Sequence, residues 1–329
     1  MSEPLISVRH IKKYFPLGDY KLAKSKIKYV HAVDDVSLDI EKGEIFGIIG
    51  ESGSGKSTMG RCILKLIDID SGEIYFDGKD ITHLKKKELD ELRPRMQMVF
   101  QNPLASFNPK KTLRFSLEEP AKINGIKPEV YKKRLSELMK YIGLSEDVLS
   151  RYPTGISGGQ LQRLAIVRAL MLSPDFILAD EPVSALDVSV QANILNLLLD
   201  LKRDYDQTIL FISHDLNVVK HVCDKLAVVY LGAIMEMGPV DEVYANIMHP
   251  YTEALVSAKP KEHPFIEKEH ILLEGDIPNA IDVPEGCRFA GRCKYFKEGL
   301  CDNRTPKLKD MGGGHYVACH FPIGAADKQ

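Results

Sequence analysis

The sequence predicts an α/β fold with a mostly parallel sheet at its core and a small cysteine-rich extension at its end. Three observations support this prediction. The apolar run Ile45–Ile49 leads into a glycine-rich loop and then into a helical pattern, which is the order of a strand, an anion-binding loop and a helix. Later apolar runs of strand length also end in polar residues. Residues 259–329 differ in composition and hold four of the six cysteines.

The loop Gly50–Thr58 fits the pattern G-x-x-x-x-G-K-[ST]. Its glycines let the backbone turn tightly, so that successive N–H groups point at one anion. Lys56 can reach the β- and γ-phosphates of a nucleotide, and the Ser57 hydroxyl can ligate Mg²⁺. The following helix, about Lys56 to Leu66, directs its positive end at the phosphates. A chance turn is the alternative, and the flanking strand and helix argue against it. The predicted phosphate-binding residues are Gly50, Glu51, Ser52, Gly53, Ser54, Gly55, Lys56, Ser57 and Thr58.

The charge and hydropathy of the chain argue against several classes of protein. The 329 residues carry 44 Lys and Arg against 46 Asp and Glu, giving a net charge of −2, so we expect no nucleic-acid partner. No stretch of about 18 uninterrupted apolar residues is present to span a membrane. The charged start, Met1–Phe15, lacks the apolar core of a signal peptide. We therefore expect a cytosolic protein whose cysteines are thiols or metal ligands rather than disulfides.

Two strand patterns precede the central strand, at Leu5–Arg9 and Val30–Ile40. The charged stretch between them, Lys12–Lys28, predicts a loop or the tip of a β-hairpin. Tyr14 and Phe15 stand at its start. An aromatic ring there could stack on a nucleotide base, although a lone aromatic residue is more often part of a core.

Beyond the loop, Gly72–Phe76 predicts a strand and Lys85–Leu92 predicts a charged surface helix. The apolar strand Met96–Phe100 ends at Gln101. An amide at this position can coordinate Mg²⁺ or an attacking water, and a cap of the strand end is the alternative. Residues 102–152 contain four prolines and amphipathic helices such as Val130–Ile142, which indicates a helical insertion outside the sheet.

The segment from Ile156 to Gln160 precedes a helix that is predicted to run to about Leu172. Ser157 is placed as the N-cap of this helix. Two glycines follow, and because they lower helix stability they argue for the close approach of a ligand. This would be a second anion-binding helix start in a chain that already has a phosphate loop. It indicates a composite site that another subunit completes, and an ordinary capped helix is the alternative.

Two carboxylates, Asp180 and Glu181, follow the fully apolar strand Phe176–Ala179. Buried carboxylates are costly unless they serve a cation. Asp180 is therefore predicted to hold Mg²⁺, directly or through water, and Glu181 to polarise a water for in-line attack on a γ-phosphate.

After the long helix Val188–Tyr205, another buried strand, Thr208–Ile212, is followed by His214. A lone histidine is usually structural. This one stands at the same end of its strand as Gln101, Asp180 and the phosphate loop do on theirs. Polar groups that gather at the carboxyl ends of apolar strands are typical of a parallel α/β nucleotide site.

Assembled in chain order, these motifs closely resemble the ATPase subunit of an ABC transporter, over Leu5 to about Ala258. In addition to the phosphate loop, the motifs of that family are matched by Gln101 in the Q-loop, Ser157–Gln160 in the signature, Asp180 and Glu181 as the Mg²⁺ and base pair, Asp187 in the D-loop and His214 in the switch loop. Ile156 stands where the family usually has Leu or Phe, and we expect little effect.

The resemblance implies a P-loop NTPase fold of the ABC ATPase type, with a mostly parallel sheet core, an antiparallel β subdomain and a helical insertion at about 102–157, in an ATPase domain over 1–258. It implies a head-to-tail dimer with each ATP between two subunits, and a membrane partner near Gln101. Phe15 or Tyr14 would stack on adenine. Glu181, His214, Lys56 and Gln101 would be catalytic; Ser57, Gln101 and Asp180 would hold Mg²⁺; Ser157, Gly158, Gly159, Gln160 and Asp187 would contact ATP on the neighbouring subunit.

Finer motifs resemble the F-type ATPase subunit of oligopeptide and dipeptide importers. They lie at Val99–Pro103, Ser106–Pro109, Asp180–Ser189 and His249–Thr252. The resemblance implies ATP-driven peptide uptake from the inner face of the cell membrane, with a D-type ATPase subunit or a second copy, two membrane permeases and an extracellular binding protein. Import of an oligosaccharide or nickel is an alternative, as is a soluble ABC ATPase without a membrane partner. A regulator that binds ATP without hydrolysing it is disfavoured by the intact Glu181 and His214.

The extension, residues 259–329, contains cysteines in the spacing C-x₅-C-x₇-C-x₁₇-C. Four thiols in a short loop-rich segment favour a metal centre that supplies its folding energy. The extension resembles that of the peptide-importer ATPases, which implies a [4Fe–4S] cluster on Cys287, Cys293, Cys301 and Cys319. Zinc is the alternative, with His315 or His320 in place of one thiol; unliganded thiols are the third. Cys62 and Cys223 lie in helical patterns and are predicted to be core residues.

Overall fold

The computed structural model describes residues 3–17, 27–184, 186–257 and 279–324. The chain divides into two compact units. The first unit comprises Met1–Leu5, Ile40–Ile45 and His83–Ser213, and the second comprises Ile6–Asp39, Phe46–Thr82 and His214–Gln329. The predicted boundary between residues 258 and 259 lies at the edge of residues 258–278, outside the described residues.

The strands of the described part are β1 (Ile6–Leu17), β2 (Lys28–Ile40), β3 (Ile45–Ile49), β4 (Ser71–Phe76), β5 (Lys79–Asp80), β6 (Met96–Val99), β7 (Phe176–Asp180), β8 (Thr208–Ser213), β9 (Lys225–Tyr230), β10 (Ala233–Pro239), β11 (Lys309–Asp310) and β12 (Tyr316–Val317). The helices are α1 (Lys56–Ile63), α2 (Lys86–Leu92), α3 (Leu113–Ile123), α4 (Pro128–Tyr141), α5 (Gly158–Leu170), α6 (Val188–Tyr205), α7 (Leu216–Val222), α8 (Val240–Ala245) and α9 (Pro250–Ser257). None of these helices combines the length and apolar character that crossing a bilayer requires.

The first unit contains the parallel strands β6, β7 and β8. Every residue of β7 and β8 is buried, as expected for strands that are covered on both faces. The strands β6 and β7 are in register, with Val99 opposite Ala179. The position of Gln101, two residues beyond Val99, therefore corresponds to that of Glu181, two residues beyond Ala179.

The predicted helical insertion forms α3 and α4 in the same unit. Their buried apolar positions recur at helical spacing, as in Leu113, Leu117 and Ala121 of α3, so each helix has one apolar face. The N-cap of α3 is Thr112, whose hydroxyl accepts a hydrogen bond from the Phe115 N–H.

The second unit contains a four-stranded sheet in the order β2-β1-β4-β5, in which β4 is antiparallel to both β1 and β5. A second group of strands follows the order β11-β12-β10-β9-β3. Within it β3 is parallel to β9, and the remaining pairs are antiparallel. The predicted parallel core and antiparallel β subdomain are both confirmed.

The element bounds agree with the sequence predictions in several places and differ in others. The predicted helix Val188–Tyr205 has the same bounds in the structure. The strand predicted at Leu5–Arg9 continues to Leu17, so the first part of the predicted loop is strand, and residues 18–26 lie outside the described residues. Helix α1 ends at Ile63 rather than near Leu66 because Lys65 takes a positive φ of 52°, a conformation that stops a right-handed helix.

Candidate nucleotide site and cysteine cavity

The phosphate loop joins β3 to α1, and its own glycine and lysine help to hold it in shape. Gly55 has a φ of +99°, and a Cβ atom there would lie 1.9 Å from the Ala32 carbonyl oxygen, so only glycine fits. The Lys56 side chain is buried, and its Nζ atom donates to the carbonyls of Gly50 at 2.8 Å and Glu51 at 2.9 Å. The loop is thus formed with its lysine already in place at the start of a helix, where an anion is favoured.

The two aromatic candidates for stacking on adenine have different surroundings. Tyr14 packs on His31 with ring centroids 4.2 Å apart, and its hydroxyl donates to Asp34. Burial and this hydrogen bond raise the pKa of Tyr14 above its ordinary value. Phe15 is 36% exposed, and its ring faces the Lys13 Nζ atom at 5.4 Å. Phe15 therefore presents the accessible ring of the pair.

The predicted carboxylates lie at the end of β7. Asp180 is 2% exposed and closes the strand. Glu181 follows with a φ of +46°, which is unusual for a residue other than glycine and is typical of functional sites. Its N–H donates to the Ile212 carbonyl at 3.0 Å. The Gln101 Nε2 atom donates to Glu181 Oε2 at 3.1 Å, so the structure brings these two predicted residues together.

The signature segment begins α5, and Ser157 is its N-cap, with the hydroxyl accepting from the Gln160 N–H at 3.4 Å. The two glycines that follow, Gly158 and Gly159, lie in different surroundings, which explain in different ways why each position has no side chain. A Cβ at Gly159 would lie 2.3 Å from Val190 Cγ1, so Gly159 is required by packing against α6. Gly158 is exposed, so it is the one whose backbone a ligand can approach. Asp187, the N-cap of α6, is also exposed.

The remaining predicted site residues divide between the two units. Lys56, Ser57 and His214 belong to the second unit, whereas Gln101 and Asp180 belong to the first. His214 is exposed immediately after β8. The Mg²⁺ site that Ser57 and Asp180 are predicted to share stays a prediction, as does the assembly of all these groups around one nucleotide.

The four cysteines of the extension line one cavity. Cys287, Cys293, Cys301 and Cys319 share it with His249, Pro250, Phe289, Ala290, Tyr295, His320 and Phe321. Burial, with a contribution from the neighbouring thiols, raises the pKa of Cys287 and that of Cys319 to about 11. Grouped thiols of this kind become good ligands when a cation offsets their mutual repulsion. Within the described ranges, however, no three His, Cys, Asp or Glu side chains are arranged to hold a metal ion, so the metal centre stays a prediction.

The histidines proposed as alternative ligands are engaged elsewhere. His315 is buried, and its Nε2 atom lies 2.8 Å from Glu236 Oε1. His320 lines the cavity but hydrogen-bonds through Nε2 to the Arg304 carbonyl at 2.7 Å. His249 also lines the cavity and was not predicted; burial lowers its pKa to about 3, so it is neutral at physiological pH. Cys62 and Cys223 are buried, as predicted.

Sequence reasoning missed two arginines of the extension, Arg288 and Arg292, whose partners lie on β2 and in the phosphate loop. Arg288 pairs with Asp34, and Arg292 pairs with Glu51 of the phosphate loop. Both lie between Cys287 and Cys293. Their placement inside a predicted ligand loop was the available signal, but the identity of their partners depends on the fold.

The phosphate loop, the carboxylates at the end of β7 and the capped glycine pair of α5 define this protein as an ABC-type ATPase cassette. Two family models match the chain, "ABC transporter" over residues 33–184 and "Oligopeptide/dipeptide transporter, C-terminal region" over residues 235–301. The chain belongs to the family of ATP-binding subunits of oligopeptide/dipeptide ABC transporters.

Curated relatives match almost the whole chain. The oligopeptide transport ATP-binding protein AppF of Bacillus subtilis is 44% identical over 97% of this chain and 98% of its own length. The dipeptide transport ATP-binding protein DppF of Escherichia coli is 42% identical over 97% of this chain and 95% of its own. Both names carry the letter of the F-type subunit, as the sequence analysis predicts.

Solved structures of ATP-binding cassettes match between 71% and 74% of the chain. The post-hydrolysis dimer of the ATP-binding cassette MJ0796 bound to ADP and Pi has a TM-score of 0.64 and 30% identity, and the match covers 71% of this chain and 98% of that one. CbiO1 of Clostridium perfringens, part of the transporter complex cbiONQ, has a TM-score of 0.64 and 27% identity over 74% of this chain and 92% of its own. The ABC ATPase fold is thereby confirmed.

Proposed function

We propose that this protein is the ATP-hydrolysing subunit of an ABC importer for oligopeptides or dipeptides. One observation carries the proposal: similarity to peptide-transport ATP-binding proteins extends over 97% of the chain at 44% identity and includes the C-terminal region. Similarity confined to the ATPase part would have left the solute class open, because that part is shared by ABC proteins of many kinds.

Hydrolysis is assigned to the residues around the phosphate loop and the end of β7. Glu181 accepts the proton of the attacking water. Gln101 lies 3.1 Å from the Glu181 carboxylate and orients that carboxylate. Lys56 stabilises the charge that develops on the transferred phosphoryl group. Ser57, Asp180 and Gln101 have the oxygen ligands that suit Mg²⁺, which supplies charge neutralisation on the phosphates when bound. His214 positions Glu181 or the γ-phosphate.

The exposed signature supports a site that is completed by a second subunit. Ser157, Gly158 and Asp187 are all exposed in the single chain. In the proposal they belong, with Gly159 and Gln160, to the ATP site of a head-to-tail partner, either a D-type subunit or a second copy. ATP binds more tightly to the closed dimer than to the open one, and the dimer opens again after hydrolysis. Two permeases and an extracellular binding protein complete the importer, and this subunit lies on the inner face of the cell membrane.

The four cysteines are proposed to hold a [4Fe–4S] cluster. The proposal is supported by the four thiols, which line one largely apolar cavity, because four cysteine thiolates are the ligand set of such a cluster. Zinc can also take four thiolates and is the alternative. The visible absorbance of the anaerobically purified protein, with metal analysis, distinguishes the two: zinc without iron would contradict the proposal.

Uptake by cells tests the function as a whole. A strain that lacks the gene is complemented with the wild-type chain or with Lys56→Ala, and uptake of a labelled dipeptide, a labelled oligopeptide, a labelled oligosaccharide and nickel is measured. Only the wild type should restore uptake, and only for one or both of the peptides. Uptake of the oligosaccharide or of nickel would identify the alternative solutes. Failure to co-purify with integral membrane proteins would favour a soluble ABC ATPase.

A further inference from the structure

The segment Cys287–Cys293 joins the cysteine cavity to the phosphate loop. Its two terminal residues line the cavity. Between them, Arg292 forms a bidentate ion pair with Glu51, with Nη1 2.8 Å from Oε2 and Nη2 3.2 Å from Oε1. The pair is largely buried, with 7% of the arginine side chain and 20% of the glutamate side chain exposed. Because bidentate pairs are specific in direction as well as distance, Arg292 fixes the orientation of the Glu51 carboxylate.

The main chain of Glu51 is held as well. Its N–H donates to the Tyr251 hydroxyl at 3.0 Å, and its carbonyl accepts from Lys56 at 2.9 Å. Phe289 of the segment packs edge-on against Tyr230, with ring centroids 5.5 Å apart, and lies 5.4 Å from the Tyr251 ring. The extension and the phosphate-binding lysine therefore act on the same residue of the loop.

Arg288 connects the segment to Asp34 of β2, which contacts Tyr14, one of the two residues proposed to stack on adenine. It donates to the Leu231 carbonyl and to Asp34, and 9% of its side chain is exposed. Burial alone would raise the pKa of Asp34, but the hydrogen bond from Tyr14 and the charge of Arg288 lower it below its ordinary value. Asp34, with 13% of its side chain exposed, is thus held as an anion by Tyr14 and Arg288 together, and through Tyr14 it also holds the strand that carries Phe15.

The position of the segment depends in turn on the cysteines. The Cys287 N–H donates to the Cys301 carbonyl at 2.7 Å, and a Cβ at the preceding Gly286 would lie 2.2 Å from the same oxygen. The backbones that carry Cys287 and Cys301 are therefore in close contact. A change in what the thiols bind must therefore shift this backbone or strain it. The change reaches the two arginines because they lie within five residues of Cys287.

We infer that Arg288 and Arg292 are positioning residues of the nucleotide site, and that they link ATP affinity to the state of the four cysteines. The inference rests on the proposed function, because it requires ATP at the phosphate loop. Such linkage is reciprocal: whatever the cysteine state does to ATP binding, ATP does to the cysteine state. If the arginines only stabilised the fold, their removal would lower the melting temperature and leave ATP affinity unchanged.

The first test measures binding of a fluorescent ATP analogue to the full-length chain. Arg292→Ala should weaken binding about tenfold, because it leaves Glu51 without its partner. Arg292→Lys should lie between that variant and the wild type, since an ammonium keeps the charge without the bidentate geometry. Lys294→Ala is the matched control: Lys294 is a basic residue next to Cys293, pairs with Glu253 at 3.1 Å and is 43% exposed. Equal affinities in Arg292→Ala and Lys294→Ala would overturn the inference; if Arg292→Ala does not fold, Arg292→Lys decides in the same way.

The second test is a double-mutant cycle with Cys319→Ser. This variant alters the cavity at the one of its four cysteines that lies furthest from Arg292 in the sequence. This variant should weaken ATP binding severalfold in the wild-type and Lys294→Ala backgrounds and have no further effect in Arg292→Ala. An equal effect in all three backgrounds would overturn the linkage. The proposed function fails differently: the wild-type chain would then bind ATP no better than Lys56→Ala does.

Discussion

The phosphate loop, which is proposed to bind the nucleotide, and the end of β7, which is proposed to carry the hydrolytic residues, are built differently. The loop is braced from inside and from outside: Lys56 is buried and donates to two loop carbonyls, and Arg292 of the extension pairs with Glu51. At the end of β7, Glu181 has a positive φ and contacts Gln101, which is exposed.

The difference matches what each region has to do. A braced loop binds phosphate with little loss of conformational freedom, which favours affinity. At the end of β7, by contrast, the backbone of Glu181 is strained and the Gln101 amide beside its carboxylate is exposed, so both can rearrange when a partner binds. This suits a residue that must act only in the assembled site. Nucleotide binding should therefore depend mainly on the second unit, and hydrolysis on the first unit together with its partner.

The strongest test of this division is Glu181→Gln. An amide cannot accept the proton of the attacking water, so we expect hydrolysis to fall by about 10²- to 10⁴-fold. The affinity for ATP should stay within about twofold of the wild type, because the phosphate loop is untouched. Steady-state phosphate release and equilibrium binding of an ATP analogue measure the two quantities.

Glu137→Gln is the matched control for this variant. Glu137 is a glutamate of the same unit, on α4, and its side chain is 60% exposed beside Lys133. It should leave both quantities unchanged. If Glu181→Gln hydrolysed ATP as fast as Glu137→Gln, the role of Glu181 would have to be abandoned.

Lys56→Ala tests the role of the phosphate loop in nucleotide binding. It removes a buried ammonium that braces the loop and can reach the phosphates, so ATP binding should weaken by about 10- to 100-fold, as expected for the loss of a charged hydrogen-bonding group. Hydrolysis at low ATP should fall with it. Lys79→Ala, on the exposed strand β5 of the same unit, serves as the control. Unchanged ATP affinity in Lys56→Ala would remove the distinction between a binding region and a hydrolysis region.

The glycine pair of α5 sharpens the comparison within the first unit. Gly159→Ala places a Cβ 2.3 Å from Val190 Cγ1, and the resulting overpacking should lower the free energy of unfolding by about 1–3 kcal/mol. Gly158→Ala meets Leu186 Cδ2 at an ordinary 3.6 Å, so the fold should be unaffected. If its exposed backbone faces the partner's nucleotide, hydrolysis by the dimer should still fall several-fold. Thermal unfolding and dimer ATPase activity separate the two effects, and equal melting temperatures for both variants would contradict the packing argument.

The sequence predicted the parts of the site whose chemistry is local. The loop Gly50–Thr58 and the helix Val188–Tyr205 were recognisable because spacing and periodicity are properties of neighbouring residues. The pairing of Arg292 with Glu51 joins residues 241 positions apart, and nothing in the sequence near either residue names the other. The sequence likewise could not show that Gly158 and Gly159 differ in their surroundings, because the packing of Gly159 depends on a valine of another helix.

The smallest expected effect concerns the two neighbouring aromatic residues of β1. Phe15→Ala removes the accessible ring and should weaken ATP binding about three- to tenfold, the range expected for one aromatic stacking contact, and Phe15→Tyr should restore it. Tyr14→Phe keeps the ring but removes the hydrogen bond to Asp34, so it should lower the free energy of unfolding by about 1 kcal/mol and weaken ATP binding less than Phe15→Ala does. Because the two rings are adjacent in sequence, the pair tests whether exposure in the structure identifies the adenine contact. The reverse outcome, with affinity lost in Tyr14→Phe and kept in Phe15→Ala, would move that contact to Tyr14.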